Sequence, residues 1–200
     1  RVSPGTYTEQ IQIPSIPGSS DTSRVVLISL TGKASDVIVT HASGAQSNYT
    51  MQIQASWIEI RDISIHATHV SYGRVIELTG AASHVLIQGC RVFSHPSART
   101  NSQSVGIQAV SNQGNGFQFV ANTIYNTYTG ILASGQSTLL LMEGLIVEGN
   151  VMKDYYKTGI EIVNVLAPVI LKNQVESYAN AVSVTGIILK YVRLNARIIG

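Results

Sequence analysis

The sequence has one cysteine, few charges and no long apolar run, and each shortage excludes a class of protein. Cys90 is the only cysteine among 200 residues, which excludes an internal disulfide and a zinc site built from cysteines. Charged residues make up 12% of the chain and the net charge is +2, whereas nucleic-acid binding needs clustered Lys and Arg. No apolar run reaches the ~18 residues of a membrane-spanning helix. We therefore expect neither a nucleic-acid partner nor a membrane span.

The residues that are abundant indicate a β-rich protein. Apolar residues make up 44% of the chain, and neutral polar residues and glycine supply most of the rest. A helical protein would normally carry more Glu, Lys, Ala and Leu. The length suits one domain with a sizeable core, so we expect one domain over residues 1–200. Because the sequence begins at Arg1, without an initiator Met or a signal peptide, we expect it to be a segment of a longer protein.

A short pattern recurs along the chain at variable intervals. It reads apolar, any, apolar, any, any, Asn, any, apolar, and Phe117, Phe119, Asn122 and Ile124 show it most clearly. Equivalent anchors to Phe119 are, with a looser fit at the last two, Ile60, Ile87, Val147, Ile170 and Leu194. A constant local pattern at variable spacing indicates equivalent strands joined by loops of different length.

A second pattern, of the type Gly-Ile-x-Ile, lies between these anchors. It occupies residues 75–78, 106–109, 130–133, 159–162 and 181–184. Alternation with a period of two predicts one buried face formed by Ile76, Ile107, Ile131, Ile160 and Val182. A third short strand is expected near Ile63 to Ile65, Val92, Ile124 and Met152. Each repeat therefore holds three strands.

Three short strands per repeat of roughly two dozen residues, without helical segments, predict a parallel β-helix. Each coil would add a strand to three parallel sheets, about 4.8 Å from the coil below. Asn122, Asn150 and Asn173 fall at a tight corner, where we expect a left-handed backbone and amide hydrogen bonds to neighbouring residues. Cys90 falls in the same column and is expected to be a small buried filler. An antiparallel sandwich would need several Asn-Gly or Asp-Gly hairpin turns, and only Asn115-Gly116 qualifies.

The first residues carry a family resemblance. Residues 2–14 read VSPGTYTEQIQIP, where a Pro-Gly-Thr-Tyr turn leads into a Glu-x-apolar-x-apolar strand. This segment resembles the opening of right-handed parallel β-helix proteins of the pectate-lyase-like superfamily, and the asparagine corner resembles their Asn ladder. The expected fold class is therefore all-β: a single-stranded right-handed parallel β-helix with three short parallel sheets and about six to eight coils. Such coils carry lyases, hydrolases, epimerases, tailspikes and adhesin stalks, so the resemblance does not fix an activity.

The resemblance implies a substrate groove along the outside of the Gly-Ile-x-Ile strands. Its outward residues would be Glu77, Gln108, Leu132, Glu161 and Ser183. Glu77 and Glu161 would lie three coils apart, about 14 Å by strand spacing, whereas the two carboxyl groups of a glycoside hydrolase lie about 5–10 Å apart. If the chain is an enzyme, we therefore expect a uronate lyase rather than a hydrolase.

A uronate lyase needs a base and a cation that neutralises the substrate carboxylate. Four basic residues flank the implied groove and are the candidate catalytic residues: Arg74, His95, Arg99 and Lys157. His95 and Arg99 lie in the longest connection before a groove strand, and long loops on a rigid scaffold often carry function. The resemblance implies that calcium is a possible cofactor, although the sequence shows no Asp cluster that would bind it.

Tyrosines cluster beside the implied groove. Tyr125 and Tyr128 fall in one predicted connection, and Tyr155 and Tyr156 fall in the next. An aromatic ring packs on the C–H face of a pyranose, while amides and hydroxyl groups of the protein bind its hydroxyl groups. The candidate substrate-binding residues are therefore Glu77, Gln108, Glu161, Tyr128 and Tyr156.

These features favour an extracellular or cell-surface module that binds or acts on polysaccharide. The alternative is a non-catalytic adhesin-type scaffold that displays other groups rigidly. In either case the open ends of the coil stack are exposed sheet edges. We expect them to be capped by sequence outside this segment or by another chain.

Overall fold

Short strands are the main regular secondary structure of the computed structural model, which describes residues 1–112 and 114–199. In chain order the strands are β1 (Gly5–Thr8), β2 (Ile11–Ile13), β3 (Val25–Ile28), β4 (Val37–His41), β5 (Met51–Ile53), β6 (Ile58–Arg61), β7 (Ser64–Ala67), β8 (Ile76–Leu78), β9 (Leu86–Gln88), β10 (Arg91–Ser94), β11 (Val105–Asn112), β12 (Gln118–Val120), β13 (Thr123–Tyr125), β14 (Thr129–Gly135), β15 (Met142–Glu143), β16 (Ile146–Glu148), β17 (Val151–Tyr155), β18 (Thr158–Val163), β19 (Val165–Leu166), β20 (Val169–Leu171), β21 (Gln174–Ser177), β22 (Thr185–Lys190) and β23 (Arg197–Ile199). Short 3₁₀ helices form at Ala34–Asp36 and Pro96–Thr100.

The strands assemble into three seven-stranded parallel sheets. Sheet A contains β1, β4, β7, β10, β13, β17 and β21; sheet B contains β2, β5, β8, β11, β14, β18 and β22; sheet C contains β3, β6, β9, β12, β16, β20 and β23. The short strands β15 and β19 pair with each other beside these sheets. Each coil adds one strand to sheets A, B and C in turn, so the chain winds as a parallel β-helix of seven coils. The predicted fold class is confirmed, and the winding is consistent with the expected right-handed coil.

The core is built from columns of like side chains, as the repeats predicted. In sheet C, Phe119 pairs with Ile87 on one side and with Val147 on the other. In sheet B, Ile107 pairs with Ile76 and with Ile131. These residues are fully buried and belong to one hydrophobic cluster. The predicted third strand is confirmed by the column of Ile65, Val92, Ile124 and Met152 in sheet A.

The last coil is displaced from its predicted position. Ile160 pairs with Ile187, so the assignment of Val182 to this column was wrong. Ile170 pairs with Ile198, so the anchor at Leu194 was also wrong. Val182 is 66% exposed and Leu194 is 71% exposed. The cause is the connection after β21: it extends until β22 begins at Thr185, so the strand-like residues 181–184 lie in a loop.

The corner between sheets C and A carries the predicted asparagine ladder. Asn122 Nδ2 donates to Asn150 Oδ1 at 3.0 Å, and Asn150 Nδ2 donates to Asn173 Oδ1 at 3.0 Å. The prediction of a left-handed backbone at the asparagines was wrong, because the preceding residue makes the turn. The preceding residues, with φ between 52° and 65°, are Asp62, Gly89, Ala121, Gly149 and Lys172.

Cys90 occupies the ladder position one coil before Asn122. Its backbone N–H donates to Asn122 Oδ1 at 2.9 Å, and its side chain is fully buried. Burial raises the pKa of the Cys90 thiol to about 12. Because the thiolate is the reactive form, Cys90 acts as a buried filler, as predicted.

Candidate functional site

The outer face of sheet B presents one row of side chains along the coil axis, which we call the floor row. In order along the axis it consists of Gln12, Gln52, Glu77, Gln108, Leu132, Glu161 and Ile188. The pairing register confirms the predicted alignment of Glu77, Gln108, Leu132 and Glu161. Ser183 was wrongly assigned to this row, because β22 begins after it and Ile188 pairs with Glu161.

The first half of the floor row is a chain of hydrogen bonds. Gln12 Nε2 donates to Gln52 Oε1 at 2.8 Å, and Gln52 Nε2 donates to Glu77 Oε2 at 2.7 Å. Gln54 also donates to Gln52 Oε1, at 2.9 Å. The other carboxylate oxygen of Glu77 accepts from the guanidinium of Arg74. These bonds fix the side chains as an ordered polar surface.

The second half of the floor row is less polar. Glu161 accepts from Lys190 Nζ at 2.9 Å, and its neighbours in the row are Leu132 and Ile188. Both floor carboxylates are thus ion-paired, and they are three strands apart, about 14 Å by strand spacing. This separation exceeds what a pair of hydrolytic carboxyl groups requires.

The four candidate catalytic residues lie on connections from sheet A to sheet B, but they are not brought to one point. Arg74 pairs with Glu77 on the floor. His95 caps the Pro96–Thr100 turn, where its Nδ1 accepts from the Ser97 N–H at 3.2 Å. Burial, and to a lesser extent the electrostatic influence of His95, lowers the pKa of His66, whose ring stacks on Phe93 with the ring centroids 4.2 Å apart.

Arg99 and Lys157 are held in different ways. The Arg99 guanidinium lies 3.9 Å from the centroid of the Tyr178 ring, and its Nη1 is 3.5 Å from Asn126 Oδ1. The backbone of Lys157 joins the neighbouring coils, donating to Tyr128 O at 2.9 Å and accepting from Thr185 N at 2.9 Å. The Lys157 side chain is half-buried and forms no ion pair within residues 1–112 and 114–199.

Tyrosines recur along the edge of the floor row. Five of the connections from sheet A to sheet B each carry one half-buried tyrosine, namely Tyr49, Tyr72, Tyr128, Tyr156 and Tyr178. The rings of Tyr128 and Tyr156 lie 6.0 Å apart and are inclined by 32°, so the structure brings together the two tyrosines predicted to bind sugar. We refer to the five residues as the tyrosine edge.

Three of these tyrosines were not identified from the sequence. Tyr49, Tyr72 and Tyr178 could have been found from their recurrence once per connection, but only after the strand boundaries were known. Two other tyrosines were placed wrongly. Tyr125 belongs to β13 and pairs with Phe93, and Tyr155 is buried in the core, where burial raises its pKa.

One buried asparagine ties the first connections together. Asn48 Nδ2 donates to Gln103 O at 3.0 Å, and Asn48 Oδ1 accepts from the Arg74 N–H at 3.1 Å. The segments that contain Asn48, Arg74 and Gln103 follow β4, β7 and β10 respectively. Asn48 therefore braces three consecutive connections and positions Arg74 beside the floor.

The described residues do not form a binding site that fits calcium. Across residues 1–112 and 114–199, His, Cys, Asp and Glu side chains form no group of three or more that could hold a metal ion. The two floor carboxylates form ion pairs with Arg74 and Lys190. We derive no step through a metal ion.

The fold and the floor row define the chain as a parallel β-helix protein with a polar outer face bordered by tyrosines. Comparison with protein-family models, curated proteins and solved structures finds no match. Within the described residues, no helix is long and apolar enough to cross a membrane.

Proposed function

We propose that this chain is an extracellular β-helix module that binds polysaccharide along the floor row. The observation that carries the proposal is an ordered row of amide and carboxylate side chains on sheet B beside five connections that each carry a tyrosine. Amides and carboxylates suit sugar hydroxyl groups, and tyrosine rings suit the C–H faces of pyranoses. The resemblance of residues 2–14 to the pectate-lyase-like superfamily supports the same function.

The centre of the proposed site is the floor around Gln108 and Leu132. Gln108 lies between Glu77 and Leu132 in the row, and its amide makes no side-chain hydrogen bond to the part of the chain that the structure describes. The Tyr128 and Tyr156 pair lies on the connections that lead into the two following strands, β14 and β18. A sugar ring here would meet an amide, an apolar side chain and an aromatic edge.

If the module also cleaves its ligand, Lys157 is the first choice for the base of a lyase reaction. Arg74 is engaged by Glu77 and Arg99 by Tyr178, whereas the Lys157 ammonium has no carboxylate partner among the described residues. A lyase would use the neutral amine form of Lys157 to remove the proton next to the uronate carboxylate, as the bond from C4 to the glycosidic oxygen breaks and that oxygen takes up a proton. Arg74, Arg99 and His95 remain the other candidates.

Binding is tested by screening the purified chain on a glycan array and by titration with pectate, alginate and glycosaminoglycans. We expect Gln108→Ala and Tyr156→Ala to weaken binding about tenfold each, equivalent to ~1.4 kcal/mol. The matched controls are Gln118→Ala, on the outer face of sheet C, and Tyr191→Ala, on an exposed loop after β22; both should bind as the parent does. Absence of binding to every glycan would overturn the proposal.

Cleavage is tested separately by the ultraviolet absorbance of the unsaturated product that uronate elimination creates. Lys157→Gln should abolish turnover while leaving binding within a few-fold of the parent. If the parent chain binds a glycan but does not cleave it, the chain would be a lectin-like binding module and not a lyase.

The second candidate function is a non-catalytic surface scaffold. The observation that favours it is the ion pairing of both floor carboxylates, because such pairs order a surface without supplying a free acid or base. A chain that folds normally but neither binds nor cleaves glycans would be assigned to this class.

A further inference from the structure

One connection beside the floor row is held by a histidine side chain. Residues 68–75 join β7 to β8 and carry Tyr72, a member of the tyrosine edge. The Nδ1 atom of His69 accepts the backbone N–H of Ser71 at 3.0 Å and that of Tyr72 at 3.2 Å. The rings of His69 and Tyr72 lie 5.0 Å apart and are inclined by 35°. His69 therefore contacts both the backbone and the ring of this tyrosine.

The hydrogen bonds to the imidazole hold the tip of the connection. Both ends of the connection are anchored to the preceding coil, through the backbone N–H groups of Thr68 and Arg74. Between these anchors, within the part of the chain that the structure describes, the backbone of residues 69–72 makes no hydrogen bond other than the two to the imidazole. The position of Tyr72 therefore depends on His69.

Only the neutral form of the His69 side chain can make these two bonds. A backbone N–H donates and cannot accept, so Nδ1 must offer its lone pair and the ring proton lies on Nε2. An imidazolium carries a hydrogen on both ring nitrogens and has no acceptor left. Histidine is the side chain that ordinarily changes its charge between about pH 5 and 8. Acidification should therefore break both bonds at once.

The charged and titratable groups around His69 are mostly basic. This connection packs against the connections before and after it in the stack, through Asn48 and Ser104. Besides Tyr72 and Arg74, the three connections and the strands that precede them contain His41, Tyr49, His66, Arg91, His95 and Arg99. None of the three connections contains Asp or Glu, and Glu77 on the floor is paired with Arg74. A charge on His69 would therefore gain no carboxylate partner in place of the two lost bonds.

We infer that His69 is a positioning residue that makes the edge of the site sensitive to acid, an inference that rests on the polysaccharide binding proposed above. At neutral pH the imidazole holds residues 69–72 and fixes Tyr72 on the connection that leads into β8, the strand that carries Glu77. At acid pH the imidazolium releases this turn. The tyrosine edge then loses one fixed ring, and affinity for the sugar units at that end of the floor row falls.

The turn is tested first in the ligand-free protein, by ¹H–¹⁵N NMR of the parent chain and of His69→Asn. An asparagine Oδ1 atom can accept the same two N–H groups and does not titrate. The amide signals of Ser71 and Tyr72 should shift between about pH 7.5 and about pH 5 in the parent and stay in place in His69→Asn. Signals that do not respond in the parent, or that respond equally in His69→Asn, overturn the inference.

The matched control is His84→Asn. His84 lies on the corner between sheets B and C, where its ring stacks on Trp57 with the centroids 3.9 Å apart. The amides of Ser71 and Tyr72 should respond to pH in this variant as they do in the parent. A lost response in His84→Asn would overturn the assignment of the effect to His69.

Titration with pectate, alginate and a glycosaminoglycan at the same two pH values links the turn to binding. For the polymer that binds best, the ratio of the affinity at neutral pH to that at acid pH should be at least about threefold larger in the parent than in His69→Asn. An equal ratio in the two chains overturns the role of His69 in the site. If the parent binds none of the polymers at either pH, the proposed function fails, whereas the NMR result still decides whether His69 controls the turn.

Discussion

At the scale of single residues, the asparagine ladder shows how one side chain serves three coils. Asn150 Oδ1 accepts from both the backbone N–H and the side-chain amide of Asn122, each at 3.0 Å. Its Nδ2 donates to Phe119 O at 2.7 Å and to Asn173 Oδ1 at 3.0 Å. The side chain is fully buried, so every one of its donors and acceptors is satisfied within the protein, as burial requires.

Replacement of Asn150 by alanine should therefore be costly. The substitution removes the acceptor of the backbone N–H and the side-chain amide of buried Asn122, and it removes one donor to the Phe119 carbonyl. We expect the free energy of unfolding to fall by about 2 kcal/mol. Urea denaturation measures the change. Asn180→Ala is the control, because Asn180 is exposed and makes one bond of 3.3 Å to the Tyr178 hydroxyl. An equal loss of unfolding free energy in the two variants would show that the ladder stabilises the protein no more than an exposed hydrogen bond does.

At the scale of elements, a column of glycines in sheet B leaves space for the next coil and for side chains of sheet A. Gly106, Gly130 and Gly159 are the second residues of successive strands of sheet B, β11, β14 and β18. A Cβ on Gly130 would lie 2.5 Å from the Gly159 carbonyl oxygen and 2.7 Å from Met152 Cγ. The missing side chain thus makes room both for the next coil and for the aliphatic column of sheet A.

Gly130→Ala should accordingly destabilise the protein by about 1–3 kcal/mol through overpacking. Gly186 is the matched control, since it continues the same column in β22 but a Cβ there would meet nothing within 4 Å. We expect Gly186→Ala to leave the urea midpoint unchanged or slightly raised. If Gly186→Ala were as harmful as Gly130→Ala, backbone conformation rather than packing would be the cause.

The strands were predictable to the extent that their side chains repeat. The Gly-Ile-x-Ile strands and the asparagine corner could be located because core packing demands like residues in each coil. The last coil was misplaced because residues 181–184 alternate like a strand although they form a loop. The recurrence of Thr-Gly-Ile at Thr129, Thr158 and Thr185 marks the true register.

The contacts of the candidate site were less predictable. Lys190 pairs with Glu161 across 29 positions of sequence, and Arg99 reaches Tyr178 three coils further on. Both contacts depend on loop length and coil register, which no local pattern encodes. The alignment of Glu77, Gln108, Leu132 and Glu161 along the floor was predicted correctly, but Ser183 was not in the row. The residues that pair with the floor carboxylates were found only in the structure.

At the scale of the whole molecule, burial varies along the coil axis rather than from surface to centre. Inward side chains of the middle coils are fully buried, whereas those of the first and last coils are only partly covered. In a stack where each coil contacts its neighbours alone, stability is a sum of local terms. Coils covered on one side should therefore open at a lower free energy than coils covered on both.

Hydrogen exchange measured by mass spectrometry tests this gradient. At low protein concentration we expect amides of β8, β11, β14 and β18 to exchange slowest, and amides of the first and last coils to exchange fastest. Protection that is uniform along the axis would contradict the gradient.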